Sequence, residues 1–362
     1  MSTVKVGAIR GVSASSDAIT VANDGTCTAN ITNNLSNRNL IINGAMEVAQ
    51  RATSSTSAGY QSLDRFAVYV TNVGTTVTQS QQDLSSSDTP YSLGFRKSYR
   101  TALSGAGTAN ADSEIIILQK IEAQNIATSG WNYTSTSSYV TLQFWFKCST
   151  NQTFFAYLET KDGTSQTYPF SFTASGNNTW TKITKTIPGN SNLQFDNDNG
   201  EGLLLVVVPF YGTDKTNDSK SLNQWSAFDT AARTPDYAST WLTAGASTFD
   251  ITGIQLEVGS VATNFEHRSF GQELALCQRY FEFCRAGITT TGLSSGFIGN
   301  SVQFRVTKRA APTVTHVSNF NITNVNTPYA EHTDVNGFST AAQHDGSGAM
   351  KFNSLFKADC EL

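Results

Sequence analysis

Apolar and polar residues alternate along this chain in short runs, and the clearest is Val140–Lys147. Val140, Leu142, Phe144 and Phe146 face one way, while Thr141, Gln143 and Trp145 face the other. One side of such a strand must be core. Comparable runs occur at Phe66–Val70, Thr75–Gln79, Tyr91–Tyr99, Ile115–Ile121, Phe154–Leu158, Tyr168–Phe172, Trp180–Ile187, Leu203–Phe210 and Thr248–Val258. Turn sequences such as Lys161-Asp162-Gly163 and Pro188-Gly189-Asn190 separate them. Strands at this spacing, with no repeat period and almost no helix, predict an all-β protein built on a two-sheet β-sandwich.

The period changes once. Ser269 with Gln272 three places on is a capping-box signature, and Phe270, Leu274, Cys277, Phe281 and Cys284 follow at steps of four and three. The spacing predicts a linking helix over 269–285. Its stripe suits either a coiled-coil seam between copies of the chain or a face packed on the chain's own sandwich, and about four turns do not choose between them. Beyond it, Gly287–Thr291, Phe297–Val306, Thr313–Val317, Asn319–Thr323 and Met350–Lys357 read as strands of a small C-terminal β-domain over 286–362. Before the sandwich, residues 1–38 hold only brief β-like bursts between Gly, Ser, Asn and Asp. Such strands form no core alone. This extended segment is either a strap on the next domain or an anchor completed by a partner or another copy.

Composition narrows the function. Charged residues are 14% of the chain, against roughly 25% in average globular proteins. Ser, Thr, Asn and Gly replace them, and aromatics reach 11%, which suits a folded β protein with polar turns rather than disorder. A net charge of −4 without a basic cluster argues against a nucleic-acid partner. Met1–Arg10 lacks the apolar stretch of a signal peptide. Leu203–Phe210, the longest apolar run, is far too short to span a bilayer, so no membrane insertion is expected. Cys27, Cys148, Cys277, Cys284 and Cys360 are scattered and read as free buried thiols.

Reactive chemistry finds little footing. Gly292-Leu293-Ser294-Ser295-Gly296 matches G-x-S-x-G, but between β-like runs rather than on a strand-to-helix elbow. Glycan cleavage needs two carboxyl groups ~5–9 Å apart across a groove. The acids, such as Asp229, Asp236 and Glu257, are spread through the chain, and there is no β-helix repeat. Asp196–Glu201 looks like a calcium loop, yet Gly200 is its fifth residue and Val207 its twelfth, which reads instead as an Asx-rich turn. His332 and His344 form no ligand pair. The chain is therefore expected to be no enzyme and to hold no cofactor or metal. Sugar binding needs an aromatic face beside a few placed polar groups. Trp225, Tyr237 and Trp241, with Asp229 and Asp236 among them, supply those types, and Trp131 and Tyr133 make a second cluster. The competing use of these aromatics is packing, for Trp241 and Trp180 in the sandwich core.

Several stretches carry a family resemblance. Asn39-Leu40-Ile41-Ile42-Asn43-Gly44-Ala45-Met46 with Val48-Ala49-Gln50-Arg51, Asp64-Arg65-Phe66, the Ile254-Gln255-Leu256-Glu257 strand, Phe265-Glu266-His267-Arg268 and Leu276-Cys277-Gln278-Arg279-Tyr280 occur in order. Together they resemble a carbohydrate-binding-like β-jelly-roll module of tail-fibre and appendage proteins of tailed bacteriophages, notably those of aquatic bacteria such as cyanobacteria. The resemblance spans about Asn39–Tyr280, with Phe66 where Trp is usual. It implies a jelly-roll domain over 39–268 in a virion structural protein made in the host bacterial cytoplasm. It further implies an N-terminal segment docking other tail proteins, a homotrimer, and attachment to the host. The alternative is a carbohydrate-binding protein or weak glycan hydrolase acting on a host-surface glycan.

Overall fold

The structure is a computed structural model that describes all residues except 1–4, 14–16, 22, 24–26, 30–36, 292–295 and 346–347, and only the backbone at 27–29. Three short strands come first: β1 (Ala8–Ile9), β2 (Ile19–Val21) and β3 (Cys27–Ala29). The next twelve are β4 (Ser54–Ser55), β5 (Ala67–Thr71), β6 (Val77–Asp83), β7 (Lys97–Leu103), β8 (Glu114–Glu122), β9 (Tyr139–Cys148), β10 (Thr153–Thr160), β11 (Gln166–Thr173), β12 (Thr181–Pro188), β13 (Glu201–Tyr211), β14 (Ser226–Ala227) and β15 (Thr248–Val258). They form two six-stranded sheets packed as a jelly-roll sandwich. Sheet I runs β14-β11-β10-β13-β8-β5 and sheet II runs β12-β9-β15-β7-β6-β4.

Alternation decides which side chains meet between the sheets. Val140, Leu142, Phe144 and Phe146 of β9 are fully buried against Phe154, Phe172 and Phe249. Phe146 meets Phe172 edge-on at 4.8 Å, and Phe154 meets Phe249 at 5.1 Å, contacts that add to the ~1.5–3 kcal/mol each ring gains by burial. The expected strand at Tyr91–Tyr99 is corrected. Thr89–Ser92 form one helical turn with Pro90 near its start, where a fixed φ suits a helix, and β7 begins only at Lys97.

The C-terminal part has β16 (Phe281–Thr290), β17 (Phe297–Ile298), β18 (Ser301–Gln303), β19 (Thr313–Thr323), β20 (Tyr329–Glu331), β21 (Gly337–Gln343) and β22 (Met350–Asp359). One sheet runs β16-β22-β19; β17, β18 and β20 pair with β21 in the other. Between them lies a separate core that includes Phe338, Phe352 and Phe356. Cys148, Cys277, Cys284 and Cys360 are buried free thiols. No described helix is long and apolar enough to cross a membrane.

The linking helix is Phe270–Gln278, shorter than 269–285, and its capping box is present: the Ser269 side chain accepts from the Gln272 N–H. Strand β16 takes over at Phe281, ahead of the expected boundary at 286. This corrects the interface stripe. Residues three apart share a helix face but lie on opposite faces of a strand. Phe281 accordingly lies under the Arg51 guanidinium at 3.7 Å, while Cys284 enters the C-terminal core. Cys277 is fully buried too, so of the stripe only Phe270 and Leu274 reach the surface.

The two domains join through buried charge. Arg65 is 1% exposed, pairs with Glu361 near the C-terminus and lies 3.4 Å over the Tyr280 ring. Glu122 accepts from Arg279 Nε and Nη2, both at 2.8 Å, and from the Tyr280 hydroxyl at 2.5 Å. Within the C-terminal domain Glu282 holds the buried Lys308 at 2.9 Å. Burial pushes the Asp64 carboxyl up to about 6, although Gln50 donates to it twice. Backbone approach is equally close: a Cβ on Gly44 would lie 2.1 Å from the Ile254 carbonyl oxygen, so only glycine lets this segment cross β15. Glu361→Gln is expected to destabilise the chain by about 3–5 kcal/mol, because Arg65 stays buried without its counter-charge. The double variant Arg65→Met/Glu361→Leu recovers most of that loss in equilibrium urea denaturation.

Candidate functional site

The five residues expected to bind glycan do not converge. Trp241 is fully buried, edge-on to Phe249 at 6.3 Å, with its indole N–H donating to the Thr248 carbonyl at 2.9 Å. It belongs to the sandwich core and offers no face to a sugar. The Tyr237 hydroxyl donates to the Val208 carbonyl at 3.0 Å and accepts from the Phe155 N–H at 3.1 Å. It pins the long loop after β13 onto sheet I. Trp225 is half-buried against Tyr168 at 5.4 Å, with its N–H on the Pro188 carbonyl at 2.6 Å. Asp229 and Asp236 are exposed and hold their own loops, accepting from the Ala231 N–H at 2.9 Å and the Thr216 hydroxyl at 2.5 Å. Trp131 is likewise buried, against Phe195 and Tyr133.

The outer faces of the sheets differ in kind. That of sheet I is apolar and covered, its cluster including Ile116, Leu118, Val206, Val208, Tyr157 and Tyr211. Burial there pushes the Tyr211 hydroxyl up to about 12. The outer face of sheet II is polar, and half of it carries the chain that leaves β15. Thr141 donates to the Gly259 carbonyl at 2.7 Å and Gln143 to the Thr263 carbonyl at 2.7 Å. Glu257 accepts from the Thr263 N–H at 2.8 Å, and Gln255 from the Glu266 N–H at 2.7 Å. Side chains of the sheet thus bind residues 259–268 as a polar strap.

Past the strap the register brings a different row together. Trp145 sits opposite Thr252 and Lys182, and Lys147 opposite Asp250, which lies opposite Arg100 on β7. Arg100 donates twice to Asp250, at 2.8 and 3.2 Å. Trp180 also lies here rather than between the sheets, packed in a small cluster with Leu84 and Phe95 that Trp145 and Tyr91 border. Its indole N–H donates to Asp88 at 2.8 Å, and Lys147 Nζ is 4.8 Å from its ring. An indole that stays half open, beside charged groups already fixed by partners on a rigid sheet, is what a sugar surface requires. Alternation had turned Trp145 away from the core; only the pairing of distant strands sets Lys147, Asp250 and Arg100 beside it.

Among the described residues no group of three or more His, Cys, Asp and Glu side chains could hold a metal ion. Asp198 of the calcium-like loop accepts from the Gly200 N–H at 2.9 Å, as an Asx turn does. Ser294 of the G-x-S-x-G motif lies outside the described residues.

No protein-family model matches the chain, and no curated protein matches it. Among solved structures, it is similar to the enzymatically active domain of tailspike protein 4 of bacteriophage CBA120, at 11% identity and a TM-score of 0.32. That match covers 61% of this chain and only 21% of the tailspike chain. It is also similar to the family 11 carbohydrate-binding module of a cellulosomal cellulase of Clostridium thermocellum, at 11% identity and a TM-score of 0.28 over 60% of this chain and 98% of that one. A third likeness is to the N-terminal cellulose-binding domain of Cellulomonas fimi β-1,4-glucanase C, at 10% identity and a TM-score of 0.28 over 60% and 99%. Likeness at this level says nothing of what this chain does.

The two tryptophans of the loop region should separate in urea denaturation. Trp241→Ala is expected to destabilise by about 3–5 kcal/mol, as for a core ring. Trp225→Ala, with part of its surface already in water, is expected to lose less than half as much; equal losses would place both in the core.

Proposed function

We propose that this protein is a non-enzymatic structural component of a bacteriophage virion, a tail fibre or comparable appendage protein that serves host attachment. In this reading the open part of sheet II around Trp145 meets a host-surface glycan. The observation that carries it is the placement of charge. The buried carboxylates Glu122, Asp250, Glu282 and Glu361 each hold a guanidinium or an ammonium group. Such groups are committed to the frame by their partners rather than turned toward a substrate. The residues behind the family resemblance behave alike: Asn43, Gln50, Arg65, Arg268 and Arg279 bind neighbouring chain segments.

The N-terminal segment is the anchor in this reading. Strands β1–β3 form a sheet of their own, and Ile9 of β1 and the flanking Val6 and Val12 are exposed. Short strands without a core gain stability from a partner, here another tail protein or the same segment of a homotrimer. The exposed Phe270 of the linking helix offers a second contact. Buried free thiols suit synthesis in a reducing bacterial cytoplasm.

Two measurements check the proposal. A chain beginning at Asn37 is expected to keep the thermal midpoint of the full protein but to fail to enter particles; normal incorporation would refute the anchor. Trp145→Ala is expected to reduce adsorption to host cells severalfold with cooperative unfolding retained. Release of reducing ends from host polysaccharide by the wild-type protein would instead make it a glycan hydrolase.

A further inference from the structure

The C-terminal domain has an open face of its own, on the side of β21 away from its core. Strands β17 and β18 keep one register along β21, with Phe297 opposite Gln343 and Ser301 opposite Ser339. Strand β20 pairs with the other edge of β21 and sets Tyr329 opposite Ala341 and Glu331 opposite Ser339. Side chains directly opposite across an antiparallel pair share a face. Ile298, Val302, Ala330, Phe338 and Ala342 alternate with these residues and enter the C-terminal core. Phe297, Tyr329, Glu331 and Gln343 therefore point outward together.

This face has the relief that a sugar needs. Phe297 is 59% exposed and Tyr329 46%, whereas Trp241 of the loop region is fully buried. Between the two rings the sheet is low. Ala341 carries only a methyl group, and Gly299 carries no side chain, because a Cβ there would collide with the Thr340 carbonyl. The result is a groove of about 300 Å³ lined by Phe297, Gly299, Asn300, Ser301, Glu331 and Ala341. Glu331 is the only charged side chain lining it and has no ion pair among the described residues. Exposed aromatic rings on a rigid sheet suit the C–H face of a pyranose, and a carboxylate accepts hydrogen bonds from its hydroxyls. That carboxylate also repels an acidic sugar, and no cation lines the groove to offset it. The rings stand around a low polar floor rather than merging into the apolar patch found at the centre of a protein–protein contact.

We propose that this groove binds a neutral saccharide, a hexopyranose segment of a host-surface polysaccharide, with sugar rings against Phe297 and Tyr329 and hydroxyls donating to Glu331. This rests on the glycan-binding reading above and adds to it a second site and a sugar class. The site belongs to the C-terminal domain and shares no strand with the Trp145 row, so each can be removed without the other.

Calorimetric titration of the full chain with neutral hexasaccharides (cellohexaose, laminarihexaose, mannohexaose and galactohexaose) and with the galacturonate hexasaccharide tests it. At least one neutral hexasaccharide is expected to bind at least tenfold more tightly than the uronate, with no loss of affinity in added salt. Phe297→Ala and Tyr329→Ala are each expected to weaken that binding at least tenfold with the thermal midpoint unchanged, since both rings already face water. Neutral binding no tighter than uronate binding, or full neutral affinity in both ring variants, overturns the site. Binding that is lost in Trp145→Ala but kept in the ring variants would leave the sheet II face standing while the groove fails. Binding lost in the ring variants but kept in Trp145→Ala would keep the groove and remove the sheet II face. No binding of any saccharide would remove both. A fall in the oligomeric mass of the chain in Phe297→Ala would assign the face to a second copy and overturn the groove as a sugar site.

Discussion

Arg65 is held with φ 70°, a left-handed conformation that non-glycine residues seldom adopt and that stores about 1–3 kcal/mol of strain. In that conformation its guanidinium reaches Glu361, the Tyr280 ring and the Lys120 carbonyl at 2.5 Å. Three distant parts of the chain therefore meet at one buried cation: the entry to the sandwich, the exit of the linking helix and the C-terminus. Taking such a pair out of water is expensive, and its net contribution to stability is small. What it supplies is position, because any arrangement that separates the two domains leaves a charge buried alone or draws water into the joint.

The other contacts of the joint repeat this logic. Glu122 binds both Arg279 and Tyr280, and Arg51 reaches Asp359 and Glu361. Asn199 and Arg309 exchange contacts between the loop before β13 and the chain before β19. Buried ion pairs hold the joint, and the register of sheet II holds the Trp145 row, so the geometry of both is set by the chain's own contacts.

The sandwich was legible because alternation is local. Val140–Lys147 showed both of its faces in eight letters, and on the polar face Thr141 and Gln143 lie under the strap while Trp145 and Lys147 stay partly exposed. The end of the helix was not legible. Phe270, Leu274, Cys277, Phe281 and Cys284 continue a helical spacing on paper, but the pairing of Phe281–Thr290 with Met350–Asp359, some seventy residues on, draws the last two into a strand. Long-range pairing overrides local period, and one sequence does not display it. The loop aromatics failed for a related reason. Trp241 and Tyr237 look alike in an irregular segment whether they face water or fold back onto their own sheets. The candidate site emerged instead from Trp145, Lys147, Asp250 and Arg100, which lie on β9, β15 and β7 and share no motif.

The central claim is that the sandwich and the C-terminal β-domain form one mechanical unit through this buried charge. Differential scanning calorimetry of the full chain tests it most directly. The account predicts a single transition with a calorimetric to van't Hoff enthalpy ratio of about 1. Two separated transitions in the wild-type protein, one for each domain, would contradict it.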